Sequence, residues 1–170
     1  MAAMFEPIHR LHHFAWRCRD AGETRAFYED LLGLPLTHVI RADTVPSTGE
    51  NCPYVHLFFQ LRDGSSIAFF DLGDNVAAEP SPNTPSWVNH LALKVGSLDS
   101  LAAAKSRLEE AGVDVLGVTD HGFVRSIYFK DPNGIRLELT TDMEDENVSE
   151  SDRMRARQAL DSWLAEKAAR

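Results

Sequence analysis

The chain repeats itself, and that repeat limits what it can fold into. His13-Phe-Ala-Trp-Arg-Cys18 and His90-Leu-Ala-Leu-Lys-Val95 agree position by position as histidine, apolar, alanine, apolar, cation, apolar. Each copy leads into helical periodicity, about Gly22 to Leu32 and about Leu98 to Ala111, and each helix is expected to stop at a glycine, Gly33 or Gly112. The copies also end alike. With Gly64 set on Gly134, Phe58-Phe-Gln-Leu-Arg-Asp-Gly64 lies over Tyr128-Phe-Lys-Asp-Pro-Asn-Gly134, Ile67 over Leu137, and Ala68 over Glu138. Each half therefore reads strand, helix, then two or three strands with a glycine turn before the last. One such unit would bury a sheet face poorly by itself, whereas two can share a core. The expected class is α+β, with paired βαββ(β) modules forming a curved mixed sheet around a concave face and the helices outside.

The first module is expected over residues 8–74 and the second over 86–142, with an acidic linker and a helix over 143–170. Arg41 to Pro53 reads as a loop because Pro46, Gly49 and Pro53 punctuate a polar stretch. Asn75 to Pro85, with Pro80, Pro82 and Pro85, reads as the connection between modules. In the last helix Met154, Leu160, Trp163 and Leu164 make a modest apolar stripe, expected to dock on its own domain or on a second subunit.

Composition narrows the functions. Seventeen Lys and Arg against twenty-six Asp and Glu give a net charge of −9, a poor match to nucleic acid or an anionic membrane surface. Two cysteines, Cys18 and Cys52, are too few for a disulfide framework or a cysteine zinc site. No apolar run reaches signal-peptide length in the opening residues or membrane-span length anywhere, so the expected setting is the cytoplasm.

Side chains alternate across a strand, so parity sorts each strand into two faces. Phe14, Trp16 and Cys18 form a core set, as do Leu91, Leu93 and Val95, Ile127 and Phe129, and Ile135, Leu137 and Leu139. His13, His90, Tyr128 and Glu138 then fall on the opposite, concave face, where Ala15 and Ala92 leave room beside the histidines. Two imidazoles and one carboxylate can hold a divalent first-row metal on three adjacent corners, leaving the others open, as in non-haem Fe(II) oxygenases. A closed structural site would need a fourth ligand. The repeat says where it would sit, and Ala68 stands there. The expected metal ligands are His13, His90 and Glu138, and the ligand types fit Fe(II) first, with Mn(II), Ni(II) or Zn(II) as alternatives.

With Phe27-Tyr-Glu-Asp-Leu-Leu-Gly33 and Asp131-Pro-Asn-Gly134, these paired modules resemble the vicinal oxygen chelate superfamily over nearly the whole chain except the tail. That superfamily includes glyoxalase I, fosfomycin and bleomycin resistance proteins and type I extradiol ring-cleaving dioxygenases. The metal ligands of the family fall on His13, His90 and Glu138. A narrower string, Thr119-Asp-His121, five residues, Ile127-Tyr128, two residues, Asp131-Pro132, one residue, Gly134, three residues, Glu138, is similar to the extradiol dioxygenase signature. This resemblance implies a single-domain enzyme, a homodimer by the same analogy, that opens a catechol-like ring with O2. His121 and Tyr128 would contact the catechol oxygens. Those enzymes also carry a proton-transfer histidine near the position that Ser65 or Ser66 takes here, and His56 in the preceding strand is the candidate replacement. Phe58 is expected in the pocket lining, with Phe69 and Phe123 as further candidates. Two alternatives remain: another metal-dependent enzyme of the superfamily, such as a glyoxalase-like lyase or isomerase, and a non-catalytic small-molecule binding protein. Ala68 departs from the four-ligand glyoxalase pattern, and the intact ligand trio departs from the bleomycin-binding pattern.

Overall fold

Strand register carries the repeat into three dimensions. The computed structural model describes residues 6–143 and 148–170. The first module runs β1 (His13–Arg17), α1 (Ala21–Arg25, continued by a π-helical stretch Ala26–Leu31), β2 (Leu36–Thr44), β3 (Asn51–Gln60) and β4 (Ser66–Asp71). The second runs β5 (Leu91–Lys94), α2 (Leu98–Glu110), β6 (Leu116–Asp120), β7 (Val124–Lys130) and β8 (Arg136–Asp142), and α3 (Glu150–Ala168) follows. Each module makes a four-stranded mixed sheet, ordered β1-β4-β3-β2 and β5-β8-β7-β6. The first strand pairs parallel with the last, as a β-helix-β crossover requires, and the other pairings are antiparallel.

The helices start where the sequence offers a cap. Asp20 accepts from the Glu23 amide at 2.7 Å, and Ser97 accepts from the Ser100 amide at 3.1 Å. The last hairpin of each module turns at Gly64 or Gly134, whose φ values of 85° and 82° lie where only glycine is unstrained. The stretch from Arg41 to Pro53 departs from the expected loop. Arg41 pairs with Val55, Ala42 with Tyr54 and Thr44 with Asn51, so the hairpin is longer and its turn shorter. Polar residues suit an exposed edge strand, and Pro53 falls at the bulge between the last two pairs, where a missing amide is tolerated.

The packed faces follow parity. Leu57, Phe59, Ile67 and Phe69 from the first sheet join Ile127, Phe129, Leu137 and Leu139 from the second in one buried cluster with Leu101 and Leu108 of α2. The first helix bridges them. Fully buried Tyr28 lies 5.4 Å from the Phe59 ring and 4.9 Å from Phe69, and the Phe27 ring lies 6.3 Å from Phe129. The Tyr28 hydroxyl donates to Asp131 at 3.1 Å, in the β7–β8 turn. Asn133 of that turn accepts from the Arg19 amide at 2.8 Å and donates to Thr24 Oγ1 at 3.2 Å. Asp131 itself accepts from the amides of Asn133 and Ile135 at 2.9 and 2.8 Å, while burial pushes its carboxyl up from the ordinary range. The two phrases that carry the family resemblance thus touch each other and lock the modules together.

Because both sheets turn their packed faces to this common core, the opposite faces lie outside it. Helix α3 opens with a capping box, Ser149 with Asp152, and buries none of its residues. Met154, Leu160, Trp163 and Leu164 all stay exposed, so the stripe does not dock on its own domain among the described residues. Of the acidic linker, residues 144–147 lie outside the described residues. Among the described residues, no helix is long and apolar enough to cross a membrane.

Candidate metal centre

On the second sheet, Ala92 stands beside Glu138 and Tyr128 beside Glu138 in register, so β5, β7 and β8 present one row across the open face. Glu138 is buried, at 6% exposure. Its Oε2 lies 3.1 Å from His90 Nε2, and its Oε1 accepts from the Tyr128 hydroxyl at 3.1 Å. The tautomer of His90 follows from its other nitrogen. Nδ1 lies 2.9 Å from the Val88 carbonyl, which can only accept, so Nδ1 carries a proton and Nε2 can offer a lone pair. Metal-ligating histidines are oriented in this way.

His121, just past β6, brings Nε2 to 2.7 Å from the Tyr128 hydroxyl. The phenol gives its one proton to Glu138, so the imidazole must be the donor to the phenol oxygen. His121, Tyr128 and Glu138 therefore form a directional chain ending on a carboxylate. Burial, then the Glu138 charge, raises the Tyr128 phenol, which keeps it protonated near neutral pH.

The first sheet repeats the register with other residues. Ala15 stands beside Ala68, and Phe58 beside Ala68. Ala68 is fully buried, while His13 is exposed on the same face. The His13 ring lies 5.4 Å from Phe58 and 6.0 Å from His56, and its Nδ1 lies 2.7 Å from Nδ1 of His12. His56 is buried, stacks on Phe70 at 3.7 Å, and holds Nδ1 3.0 Å from the Phe69 carbonyl. That bond fixes the proton on Nδ1 and leaves Nε2 as an acceptor. Burial lowers the His56 pKa below the ordinary value, and the nearby His13 adds to the effect.

The structure thus joins His90, Glu138, Tyr128 and His121 on one sheet, and His13, His56 and Phe58 on the other. It does not join the two groups within one chain. Among the described residues, no three His, Cys, Asp or Glu side chains stand close enough to share an ion. Parity set each residue on its face, but it holds no information on how one sheet is turned against the other. Phe69 belongs to the core rather than a pocket, and Phe123 and Trp87 are solvent-exposed. Three neighbours have no role in the sequence reading. His12 contacts His13, Arg136 lies over the Tyr128 ring with its guanidinium carbon 4.4 Å from the centroid, and Lys130 is the cross-strand partner of Arg136. Parity already sets Arg136 beside Glu138 on the open face, and that was the available signal.

Comparison with known proteins bears on the same residues. Residues 10–139 match the family model of the glyoxalase/bleomycin resistance protein/dioxygenase superfamily. Over 130 residues the chain is 28% identical to biphenyl-2,3-diol 1,2-dioxygenase of Paraburkholderia xenovorans, covering 75% of this chain and 39% of that protein. It spans well under half the length of that relative. A glyoxalase/dioxygenase from Nostoc punctiforme has a similar fold, with a TM-score of 0.61 and 24% identity, covering 85% of this chain and 99% of that one. So does a fosfomycin resistance protein from Listeria monocytogenes, a Glu-to-Gln variant solved with Mn(II) and a dihydroxypropylphosphonic acid. Its TM-score is 0.58 at 20% identity, covering 82% of this chain and 96% of that one.

Proposed function

Because the chain belongs to the glyoxalase/bleomycin resistance protein/dioxygenase superfamily, we propose that it is a metal-dependent extradiol-type dioxygenase, cleaving a catechol-like ring with O2 at a centre of His13, His90 and Glu138. One observation carries this reading: Glu138 takes His90 on one oxygen and the Tyr128–His121 chain on the other. This joins a metal-ligating pair to a proton path, which ring opening of a diol needs and passive binding does not. The donor set fits a divalent first-row ion, Fe(II) first and Mn(II), Ni(II) or Zn(II) as alternatives. With alanine at position 68, the repeat offers no fourth carboxylate.

His13 would come from a second copy of the chain. Two things support this. His13 shares no ion-sized cluster with His90 and Glu138 among the described residues of one chain, and both open faces expose an apolar side chain, Ile40 on one and Leu116 on the other. A two-fold dimer setting the first-module face of one copy against the second-module face of the other would make two equal centres. Bound there, the ion would hold the diol and oxygen side by side and act as a Lewis acid. The remaining work belongs to the chain. His56 Nε2, neutral near pH 7 because burial lowers its pKa, takes a proton from the diol. With Glu138 engaged by the ion, Tyr128 would turn its one O–H from Glu138 to the substrate oxygen, while the His121 N–H keeps its hydrogen bond to the phenol oxygen. Phe58 and Phe70 supply an aromatic wall beside His13 and His56.

The test is to load the protein anaerobically with Fe(II), admit air with a panel of substituted catechols, and follow oxygen uptake and the yellow ring-opened product. Oxygen consumption matched to product supports the reading. No oxygen uptake across the panel overturns it, and a protein then active with Ni(II) or Zn(II) would be a lyase or isomerase of the same superfamily.

A further inference from the structure

We propose that Arg136 and Lys130 form an anion-binding subsite beside the metal ligands, and that the substrate is an aromatic diol bearing an ionised carboxylate. The proposal rests on the ring-cleavage reading above and narrows its substrate. Arg136 Nε is buried and has no hydrogen-bond partner among the described residues. A buried guanidinium N–H without an acceptor is costly, and it marks a place where an acceptor is missing. The side chain is held over the Tyr128 ring, with its guanidinium carbon 4.4 Å from the centroid. That ring's hydroxyl donates to Glu138, so the cation sits one aromatic ring from a ligand carboxylate.

Lys130 stands opposite Arg136 in the β7–β8 ladder, and no carboxylate pairs with either among the described residues. This is unusual in a chain of net charge −9. Three other strand cations are neutralised, Arg17 by Asp74, Lys94 by Asp142 and Arg125 by Asp120, while Arg41 on the exposed edge strand β2 has no such pair among the described residues. The repeat sharpens the contrast. By register, Ser66 and Gln60 hold the matching places in the first module, so the two cations belong to the second module alone.

Arg136 and Lys130 line two adjoining hollows. One, of about 160 Å³, has walls from Trp16, Pro80 and Pro85 and includes His90. The other, of about 600 Å³, opens along Leu116 and Tyr128. Asp114 and Glu79 line these hollows too, yet among the described residues neither pairs with the two cations. Arg136 and Lys130 both line these hollows, so a carboxylate entering between them meets two cations, and a planar aromatic acid suits the apolar walls. The ligand is therefore an aryl carboxylate whose diol end reaches the metal while its acid end meets Arg136.

The experiment compares 3,4-dihydroxybenzoate with 4-methylcatechol, a pair that differs in the charge opposite the diol. Binding to the Fe(II)-loaded protein is measured calorimetrically without oxygen, and turnover separately in air, for wild type, Arg136→Gln, Arg136→Lys and Lys130→Gln. Wild type is expected to prefer the acid. Arg136→Gln should weaken the acid by about tenfold to a hundredfold while changing the neutral diol by less than about twofold. Arg136→Lys should recover part of the loss, and Lys130→Gln should show a smaller one. Equal loss for both diols, or no wild-type preference for the acid, overturns the subsite. If the acid binds through Arg136 but neither diol is opened, the subsite stands and ring cleavage falls. If both are opened without dependence on Arg136, ring cleavage stands and the subsite falls.

Discussion

Set in register, the first module puts Ala68 between Ala15 and Phe58, and the second puts Glu138 between Ala92 and Tyr128. On the packed faces the modules match in kind: Phe59 and Ile67 in one correspond to Phe129 and Leu137 in the other, all of them buried. On the open faces only the histidine, alanine and cation of the opening strand are shared, His13, Ala15 and Arg17 with His90, Ala92 and Lys94. The remaining positions diverge, with His56, Phe58 and Phe70 in the first module against Ser126, Tyr128 and Thr140 in the second. The reason is physical. A packed face must fill a fixed space between sheet and helix, so it tolerates only apolar residues of similar volume. An open face has no such constraint and can divide labour. Here the first module gives an aromatic and imidazole wall, and the second gives the carboxylate, the phenol and the unpaired cations.

If the division is real, removing the acid from the second module should have the largest effect. Glu138→Gln is expected to lower metal affinity by more than the roughly 10–100-fold that loss of a supporting partner causes, with the circular dichroism spectrum unchanged. Chelator competition measures this, and wild-type affinity in the variant would remove Glu138 from the centre.

Making the modules alike is the second way to break the comparison. Ala68→Glu places a carboxylate at a fully buried position beside Ala15 and Phe58. Without metal, the variant is expected to lose about 1–3 kcal/mol from overpacking and desolvation. With Zn(II), it should regain stability beyond the shift seen in wild type, because the site gains a fourth ligand. A thermal melt indifferent to metal would mean that this face never meets the ion.

The smallest effect concerns what the modules share, their lock. Burial raises the Asp131 pKa above its ordinary 3.8, so the native state binds this proton more tightly than the unfolded chain does. That contribution is full below the ordinary value and is lost as pH rises through the raised one. The stability advantage of wild type over Asp131→Asn should therefore shrink as pH rises above the ordinary 3.8 through the raised pKa in urea melts. A constant difference would show that the carboxyl is as easily ionised folded as unfolded.

Much of this was legible in the chain itself. The glycine-aligned repeat predicts the β3–β4 and β7–β8 hairpins, and alternation predicts which side chains of β1, β5, β7 and β8 leave the core. These are local facts, set by pleat and turn. What was not legible is long-range. Nothing in the spacing of His13 and Glu138 says that their sheets share a core on one side and turn their open faces outward. Nor did the phrases around Tyr28 and Asp131 announce that they bond to each other across 103 positions. The polar run after Arg41 read as a loop because an exposed edge strand and a loop use the same residues. Arg136 was on the right face by parity, but its missing partner could be seen only once its neighbours were in place.

The central claim is that each metal centre borrows His13 from one copy and His90 with Glu138 from another. Complementation tests it most directly. His13→Ala and Glu138→Ala are each purified, found inactive and metal-poor, then mixed under conditions that let subunits exchange. In a two-fold dimer, random exchange rebuilds one intact centre in each mixed dimer, so about a quarter of wild-type metal binding and oxygen uptake should return. If the mixture stays as empty as its components while exchange is shown to occur, the ligands of one centre do not come from two chains.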